Sequence, residues 1–461
     1  MNRSLFKLRF VWLAAALALV SIACPVRGAA LDGGQYSVNI RLTRGDDDSL
    51  HLIAKERMLT LTTGSFKLNG KEYKVQQSQN INIPECPALR TSNESFVLRS
   101  PGENKPYYER VPLKCLAGGK GRGPVPGLLV DGSVQIKRAD GSNQLLQPGV
   151  DYVIDKVLGC IDRVDTSKIP EGTPVKLSYS VCLRRIDTLL LDEEGHAHLM
   201  SGSYSQFAPV ALTVPPNLVA LANVYAPRLS QPIEASDIMP IWDRDLEDPV
   251  INELNENVLD GFKAKLKAGK SVTVAFLGDS VTDGCYATEP SRMFPQQFIT
   301  RLQAKYPKCQ IKAKKLALGG STSSLMFGRF YKELLPSKPD LVIVEFVNDL
   351  SLSQKVIERN YTRFFNQVKA TGADIIVCLP HTVNPTLHGG DNWLSVASLP
   401  YYSILTNMAP RFKVALANVG GRWVNARYEG LSPSLLLADN MNHPNDRGHE
   451  VYAEELMKLF N

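Results

Sequence analysis

The stretch that decides the fold is Val272-Thr-Val-Ala-Phe-Leu-Gly-Asp-Ser-Val-Thr-Asp-Gly284. Its first half, Val272 to Leu277, is a short run of apolar and β-branched residues, which predicts a strand buried on both faces. The run ends at Gly278-Asp-Ser280. At the carboxyl end of a strand in an α/β sheet, a side chain projects toward ligands instead of into the core. Ser280 is therefore a candidate nucleophile, and a turn or helix N-cap is the alternative.

The chain around and after this stretch alternates between strand-like and helical patterns. Strand patterns cover 272–277, 311–318, 341–347, 375–379 and 414–419, and helical patterns cover 251–266, 291–305, 354–370, 401–409 and 444–460. Five strands with interleaved helices predict a doubly wound, flavodoxin-like parallel sheet, with its site at the carboxyl ends of the strands. We expect a catalytic domain over residues 269–461.

The first half of the chain has a different pattern of polar and apolar residues. Short alternating runs from 35 to 215 are separated by turn signals such as Asn69-Gly70 and Asp140-Gly141, which predicts an all-β, sandwich-like domain over 30–215. Residues 216–268 are rich in proline, then acidic, then helical in pattern. They predict a connector that carries a helix.

The N-terminus has the pattern of an export signal. Three basic residues precede an apolar run from Phe10 to Ala23, which is short for a bilayer span. We expect residues 1–29 to be a signal peptide, the protein to be periplasmic or extracellular, and the mature chain to have no stable membrane span. A single membrane anchor is the alternative, and Ser21-Ile-Ala-Cys24 partly resembles a lipoprotein box, in which Cys24 would be lipidated.

Composition narrows the class of protein. The hydrophobic fraction of 44% and the charged fraction of 21% are ordinary for a globular chain of 461 residues. The net charge of +6 comes without a dense Lys/Arg block, so a nucleic-acid partner is not expected. No Cys/His spacing predicts a metal site. Among the eight cysteines, Cys160 with Cys182 is the first predicted disulfide and Cys86 with Cys115 the second.

Three later stretches carry residues suited to catalysis. The second strand runs into Leu318-Gly-Gly-Ser-Thr-Ser-Ser324, where two glycines allow bare N–H groups to face a ligand. The third strand ends in Val344-Glu-Phe-Val-Asn-Asp349, and an asparagine amide there can donate to an oxyanion. Near the C-terminus, Ala438-Asp-Asn-Met-Asn-His443 sets an acid before a histidine, as proton transfer from a serine requires. A plain helix cap is the alternative for His443.

Taken in this order, the four stretches resemble the SGNH (GDSL-type) hydrolase family, over about residues 271–461. The resemblance implies Ser280 as nucleophile and His443 as base. It implies the Ser280 N–H, the Gly320 N–H and the Asn348 amide as the oxyanion hole, and no cofactor. In this chain Phe346 replaces the usual glycine of the third block, and Asn440 stands where the family has the acid.

Asp439, one residue earlier, is the predicted acid. A dyad in which a backbone carbonyl orients His443 is the alternative. Other candidates for substrate contact or for support of the site follow the same strands or loops: Asp279, Glu345, Asp349, His381, Asn384 and Trp393.

The resemblance implies an exported serine esterase that works through an acyl-enzyme. A β-rich region before such a domain is similar to the arrangement of carbohydrate esterases, so an O-acetylated polysaccharide is the first expected substrate. Alternatives with the same residues are a lysophospholipase, a short-chain carboxylesterase and a sugar O-acyltransferase. The non-enzymatic alternative is a glycan-binding or surface protein with an inactive hydrolase-like half. The oligomeric state is not predicted.

Overall fold

The computed structural model of the protein describes residues 29–461 except 32–34, 41–49, 69–70, 101–128, 156–159, 206–208, 210–211, 227–231, 235–236, 242–247, 385–399 and 440. The predicted signal peptide with Cys24, the predicted disulfide partner Cys115, Trp393 and Asn440 therefore lie outside the described residues. Within them, no helix is both long enough and apolar enough to cross a bilayer.

The first half of the chain is built from short strands. They are β1 (Ala29–Leu31), β2 (Gln35–Ile40), β3 (Leu50–Lys55), β4 (Met58–Leu61), β5 (Gly64–Leu68), β6 (Lys71–Val75), β7 (Gln79–Asn82), β8 (Ala88–Leu98), β9 (Gln135–Arg138), β10 (Tyr152–Asp155), β11 (Cys160–Arg163), β12 (Thr173–Cys182), β13 (Arg185–Leu191), β14 (Ala197–Met200), β15 (Val219–Ala226) and β16 (Ile238–Pro240). Alternation of buried and exposed side chains, as along β12, is the reason that these residues form strands with one face on a core.

These strands form antiparallel sheets, which confirms the all-β prediction. The larger sheets have the orders β1-β2-β3-β4-β7, β8-β12-β9 and β14-β13-β15-β16. The first and third of these share one apolar core, in which Leu52 and Leu59 pack with Leu189 and Leu221. Two sheets that face each other across a common core are the sandwich-like arrangement that the sequence predicts.

The predicted connector, residues 216–268, contains two strands of a β-sheet. β15 lies at the start of the 216–268 segment and pairs with β13, and β16 extends the same sheet. The predicted helix over 251–266 is in fact two helices, α1 (Pro249–Leu254) and α2 (Asp260–Lys267). The break comes at Asn255, whose side chain bonds the N–H and the C=O of Leu416 at 2.7 and 2.9 Å. Asn257 then adopts a φ of 61°, which a continuing helix does not allow.

The second half contains five parallel strands: β17 (Val272–Gly278), β18 (Ile311–Ala317), β19 (Leu341–Glu345), β20 (Asp374–Cys378) and β21 (Ala415–Ala417). Their order is β18-β17-β19-β20-β21, which confirms the flavodoxin-like prediction. Along β17, Val274 and Phe276 face one core, and Ala275 and Leu277 face the other. Apart from Thr273 the strand is apolar, because both of its faces are covered.

Helices cover both faces of this sheet. They are α3 (Ser280–Asp283), α4 (Phe294–Lys305), α5 (Ser323–Glu333), α6 (Gln354–Lys369), α7 (Pro400–Phe412), α8 (Val419–Asn425) and α9 (Asp446–Lys458). The last helix begins later than the predicted residue 444, because Asn445 is its N-cap and accepts from the Gly448 N–H at 3.0 Å.

The first predicted disulfide is wrong in this structure, since no bond joins Cys160 to Cys182. Cys160 begins β11 and pairs across a two-stranded sheet with Asp155, whereas Cys182 ends β12 and pairs with Ala88 in another sheet. The two strands follow each other in sequence without pairing.

Candidate active site at the carboxyl edge of the parallel sheet

The loop after β17 presents Ser280 at the carboxyl edge of the sheet. A Cβ on Gly278 would lie 2.0 Å from Thr282 Oγ1 and 2.5 Å from the Glu345 carbonyl oxygen, so only glycine allows this turn. Asp279 caps the short helix α3 by accepting from the Val281 N–H at 3.0 Å. Ser280 opens that helix and is 8% exposed.

The loop before α9 brings His443 to the serine. His443 Nε2 lies 3.0 Å from Ser280 Oγ. On the other side of the ring, His443 Nδ1 lies 2.5 Å from Asp439 Oδ2. Ser280, His443 and Asp439 thus form one hydrogen-bonded series, although Ser280 and His443 are 163 positions apart in the chain. Asp439, the predicted acid, is thus the residue that contacts His443 Nδ1.

The carboxylate of Asp439 also organises its own loop. Its Oδ1 accepts from the backbone N–H groups of Met441, Asn442 and His443 at 3.0, 3.2 and 3.1 Å. Burial by itself would raise the pKa of Asp439, but the hydrogen bonds from the His443 ring and these N–H groups outweigh it and lower the pKa. The acid is therefore charged at neutral pH and favours a hydrogen on His443 Nδ1.

Two further loops complete the site. Gly320 follows β18 with a φ of 72°, and a Cβ on its neighbour Gly319 would lie 3.8 Å from the Cβ of Ser280. Asn348 follows β19, and its amide nitrogen donates to Asp279 Oδ2 at 3.0 Å and to the Ser321 carbonyl at 3.2 Å. Both amide hydrogens of Asn348 therefore have acceptors here. The predicted oxyanion donors lie on the loops around Ser280.

The predicted acidic candidates lie beneath the site and bond to the protein itself. Glu345 accepts from the Thr282 hydroxyl at 3.0 Å, and Asp349 accepts from the Ser323 N–H at 2.8 Å. Burial raises the pKa of Asp279 to about 7 and that of Asp349 to about 6, and it raises the pKa of Glu345 well above its usual value. All three are at most 1% exposed, so they support the loops instead of meeting substrate.

His381 is likewise not in a position to touch substrate, since it is 0% exposed. Its Nδ1 lies 2.8 Å from the Tyr452 hydroxyl, and its Nε2 lies 2.9 Å from the Asn442 carbonyl oxygen. The position after β20 is compatible with substrate contact, but packing under the His443 loop buries the ring. Asn384 is 8% exposed, and its backbone N–H donates to the Met441 carbonyl at 2.7 Å. It therefore supports the same loop.

Sequence reasoning missed Tyr286. Its ring lies against the His443 ring, with centroids 5.1 Å apart and planes inclined by 37°. Its φ of 67° is a strained conformation for a bulky residue, of the kind that clusters at functional sites. No pattern in the sequence signals this, because a tyrosine after Gly284-Cys285 predicts nothing about backbone strain. Among the described residues, no group of three or more His, Cys, Asp or Glu side chains is arranged to hold a metal ion.

Comparison with known proteins shows that part of the chain is similar to one family. Residues 276–451 match the model of the GDSL-like Lipase/Acylhydrolase family. A search of curated proteins finds no match. Among solved structures, a two-domain esterase (CEX) active on acetylated mannans is 21% identical over 44% of this chain and 52% of its own, with a TM-score of 0.38. The chain thus spans about half the length of that esterase.

Two further solved structures match a similar share of this chain. Axe2, an acetylxylan esterase from Geobacillus stearothermophilus, is 18% identical over 41% of this chain and 94% of its own, with a TM-score of 0.35. LAE5, an alpha/beta hydrolase enzyme from the metagenome of Lake Arreo, Spain, is 19% identical over 41% and 94%, with a TM-score of 0.35. The match shows that residues 276–451 of this chain are similar to the GDSL-like Lipase/Acylhydrolase family.

Proposed function

We propose that the protein is a serine esterase that cleaves its substrate through an acyl-enzyme. The observation that carries the proposal is the series Ser280 Oγ, His443 Nε2, His443 Nδ1 and Asp439 Oδ2, with successive contacts of 3.0 and 2.5 Å. The 3.0 Å contact lies within the hydrogen-bond reach that a nucleophile and its base need, and the 2.5 Å contact is a hydrogen bond from the base to a carboxylate that orients it.

In the first step, Ser280 Oγ attacks the acyl carbon while His443 Nε2 takes the hydroxyl proton. Asp439 holds the hydrogen of the neutral ring on Nδ1, so Nε2 is free to accept, and its negative charge stabilises the imidazolium that forms. His443 then returns the proton to the leaving alcohol oxygen. In the second step, a water molecule gives a proton to His443 and attacks the acyl-serine, which releases the acid and restores the Ser280 hydroxyl.

The oxyanion of each tetrahedral intermediate is assigned to donors around Ser280. These are the N–H groups of Ser280 and Gly320 and the side-chain amide of Asn348. One amide hydrogen of Asn348 is held by the Ser321 carbonyl at 3.2 Å, the longer of its two bonds, and the oxyanion would take its place. A donor of this kind stabilises the transition state by about 3 kcal/mol.

We propose an O-acetylated carbohydrate as the substrate class and export as the destination. Ser280 is 8% exposed and Tyr286 lies against one face of His443, an arrangement that favours a short acyl group over a long chain. The antiparallel β-sheets that precede the hydrolase domain provide a surface separate from the nucleophile, on which a polymer can bind. The basic and apolar N-terminus supports export.

The test is acetate release from acetylated xylan, pectin and p-nitrophenyl acetate, together with labelling by a fluorophosphonate probe. We expect wild type to release acetate from a polymer and Ser280→Ala to lose both activity and labelling. Ser291→Ala is the matched control, because Ser291 is exposed and bonds Glu289 in a separate turn, so it should keep both.

Activity on the small ester alone would retain the serine chemistry and refute the carbohydrate substrate. Phospholipid-specific hydrolysis, or transfer of the acyl group to a sugar in place of water, would assign the same residues to the alternative reactions. No activity and no labelling at Ser280 would refute the esterase and favour a binding protein.

A further inference from the structure

The peptide unit that precedes the proposed base is held at both ends. Its C=O, from Asn442, lies 2.9 Å from His381 Nε2. Its N–H, from His443, donates to Asp439 Oδ1 at 3.1 Å. Because a peptide unit is planar, two bonds on its opposite sides fix its orientation. That orientation sets the direction from which the His443 side chain leaves the backbone toward Ser280.

The hydrogen on His381 must be on Nε2. A carbonyl oxygen only accepts, so the 2.9 Å contact with Asn442 requires a donor. The other nitrogen, Nδ1, then accepts from the Tyr452 hydroxyl at 2.8 Å. The Tyr452 oxygen in turn accepts from the His381 backbone N–H at 3.3 Å. The Asn442 carbonyl thus selects the tautomer of His381 with its hydrogen on Nε2, and the Tyr452 hydroxyl bonds the other ring nitrogen.

The ring of His381 has little freedom to leave this position. It is 0% exposed, and it packs on Trp423 with ring centroids 4.6 Å apart. Burial lowers its pKa to about 3, so the ring is neutral over the working range of an esterase. Glu345 Oε1, on the adjacent strand, lies 3.5 Å from the Tyr452 hydroxyl. The contacts therefore run from the sheet through α9 to the His443 loop.

We propose that His381 is a positioning residue for the base, which holds the Asn442–His443 peptide so that His443 Nε2 stays in line with Ser280. The inference deepens the proposed serine-esterase function and rests on it. His381 acts on the rate of the chemical step and has no part in binding substrate, since its ring is wholly enclosed. Of the side chains described, Asp439 holds one end of this peptide unit and His381 the other.

The test compares His381→Phe with His381→Gln in the full-length protein. Phenylalanine fills the space without a donor, whereas the glutamine amide nitrogen reaches the place of Nε2 and can donate to Asn442. We expect His381→Phe to lower kcat on p-nitrophenyl acetate about 10- to 100-fold with KM little changed, because a misplacement of about 1 Å can cost about 10²-fold. We expect His381→Gln to recover most of that loss.

Two more variants separate positioning from loss of stability. Tyr452→Phe removes only the hydroxyl that bonds His381 Nδ1, so it should lower kcat less than His381→Phe while it keeps the fold. Val368→Ala is the matched control, since Val368 is 0% exposed in α6, remote in sequence from the base loop. It should lower Tm without lowering kcat. The proton NMR signal of the His443 Nδ1–H bonded to Asp439 should shift in His381→Phe and return in His381→Gln.

Wild type and Ser280→Ala are measured in parallel, so that a failure of the esterase proposal is seen separately as absent labelling at Ser280. With labelling intact, three results would overturn the role of His381. They are unchanged kcat in His381→Phe, a rise in KM alone, or a glutamine variant as impaired as the phenylalanine variant at equal Tm. If His381→Phe does not fold, unchanged kcat in Tyr452→Phe overturns the proposal, and a lower kcat at wild-type Tm supports it.

Discussion

Replacement of Asp439 by asparagine tests the proposed acid with almost no change of shape. Asp439 Oδ1 accepts from three backbone N–H groups, and Oδ2 accepts from His443 Nδ1 at 2.5 Å. In the variant, the amide oxygen at Oδ1 keeps the three backbone bonds, so the loop retains its conformation. The amide nitrogen at the place of Oδ2 donates and cannot accept.

The expected result is the wrong tautomer of His443. Nδ1 must now accept from the amide, so the ring hydrogen moves to Nε2 and faces Ser280, where it blocks proton transfer. The same exchange in a serine-histidine-aspartate triad lowers kcat about 10⁴-fold, which is about 5 kcal/mol of barrier. KM should change little, because Asp439 is 3% exposed and does not reach substrate.

The assay is the initial rate of p-nitrophenyl acetate hydrolysis over a range of substrate concentrations, with Tm measured on the same samples. Asp283→Asn is the matched control: it removes a carboxylate three residues after the nucleophile that is 57% exposed and paired with Lys315. It should keep the wild-type kcat. A loss of less than about tenfold for Asp439→Asn at unchanged Tm would refute the reasoning and favour a dyad, since true triad members cost far more.

Variants at three further positions test neighbouring parts of the site. Asn348→Ala should lower kcat about 10²- to 10³-fold with little change in KM, because it removes an oxyanion donor, and an unchanged kcat would exclude Asn348 from that role. Tyr286→Ala should raise KM for p-nitrophenyl acetate, because it removes the ring against His443, and a KM equal to that of wild type would contradict this. Tyr286→Gly should have a higher Tm than Tyr286→Ala, because glycine adopts a φ of 67° without strain, and equal Tm values would contradict this. Asp349 has a pKa raised by burial from 3.8 to about 6, so its contribution to stability is fully present below pH 3.8 and is lost as pH rises through 6. That contribution is about 3 kcal/mol of the free energy of unfolding. Measured by urea unfolding, Asp349→Asn should therefore lose less stability than wild type between pH 4 and pH 8. Parallel curves of unfolding free energy against pH for wild type and the variant would refute this assignment.

Local sequence was sufficient for the parallel sheet and for the residues at its edge. The run from Val272 to Leu277 specifies a doubly buried strand, because Thr273, itself β-branched, is its one polar residue. Parallel strands bring their carboxyl ends to one edge, so the loops that hold Ser280, Gly320 and Asn348 meet there. His443 joins them from the final loop.

Where sequence reasoning was wrong, the deciding contact is remote in the chain. The break between α1 and α2 follows from Asn255 bonding Leu416, 161 residues away. β15 lies in the predicted connector because it pairs with β13. Cys160 and Cys182 lie close in sequence but on strands of different sheets.

The sequence by itself determined which residue types stand at the ends of the strands, because a short apolar run and the turn that ends it are local features. Only the tertiary structure decided what each of those residues does. His381 and Asp439 are both polar residues next to a strand or loop end, yet packing encloses one beneath the base loop and leaves the other bonded to the base itself. Burial and hydrogen-bond partners depend on the whole chain, and they distinguish a residue buried beneath the His443 loop from one bonded to the His443 ring.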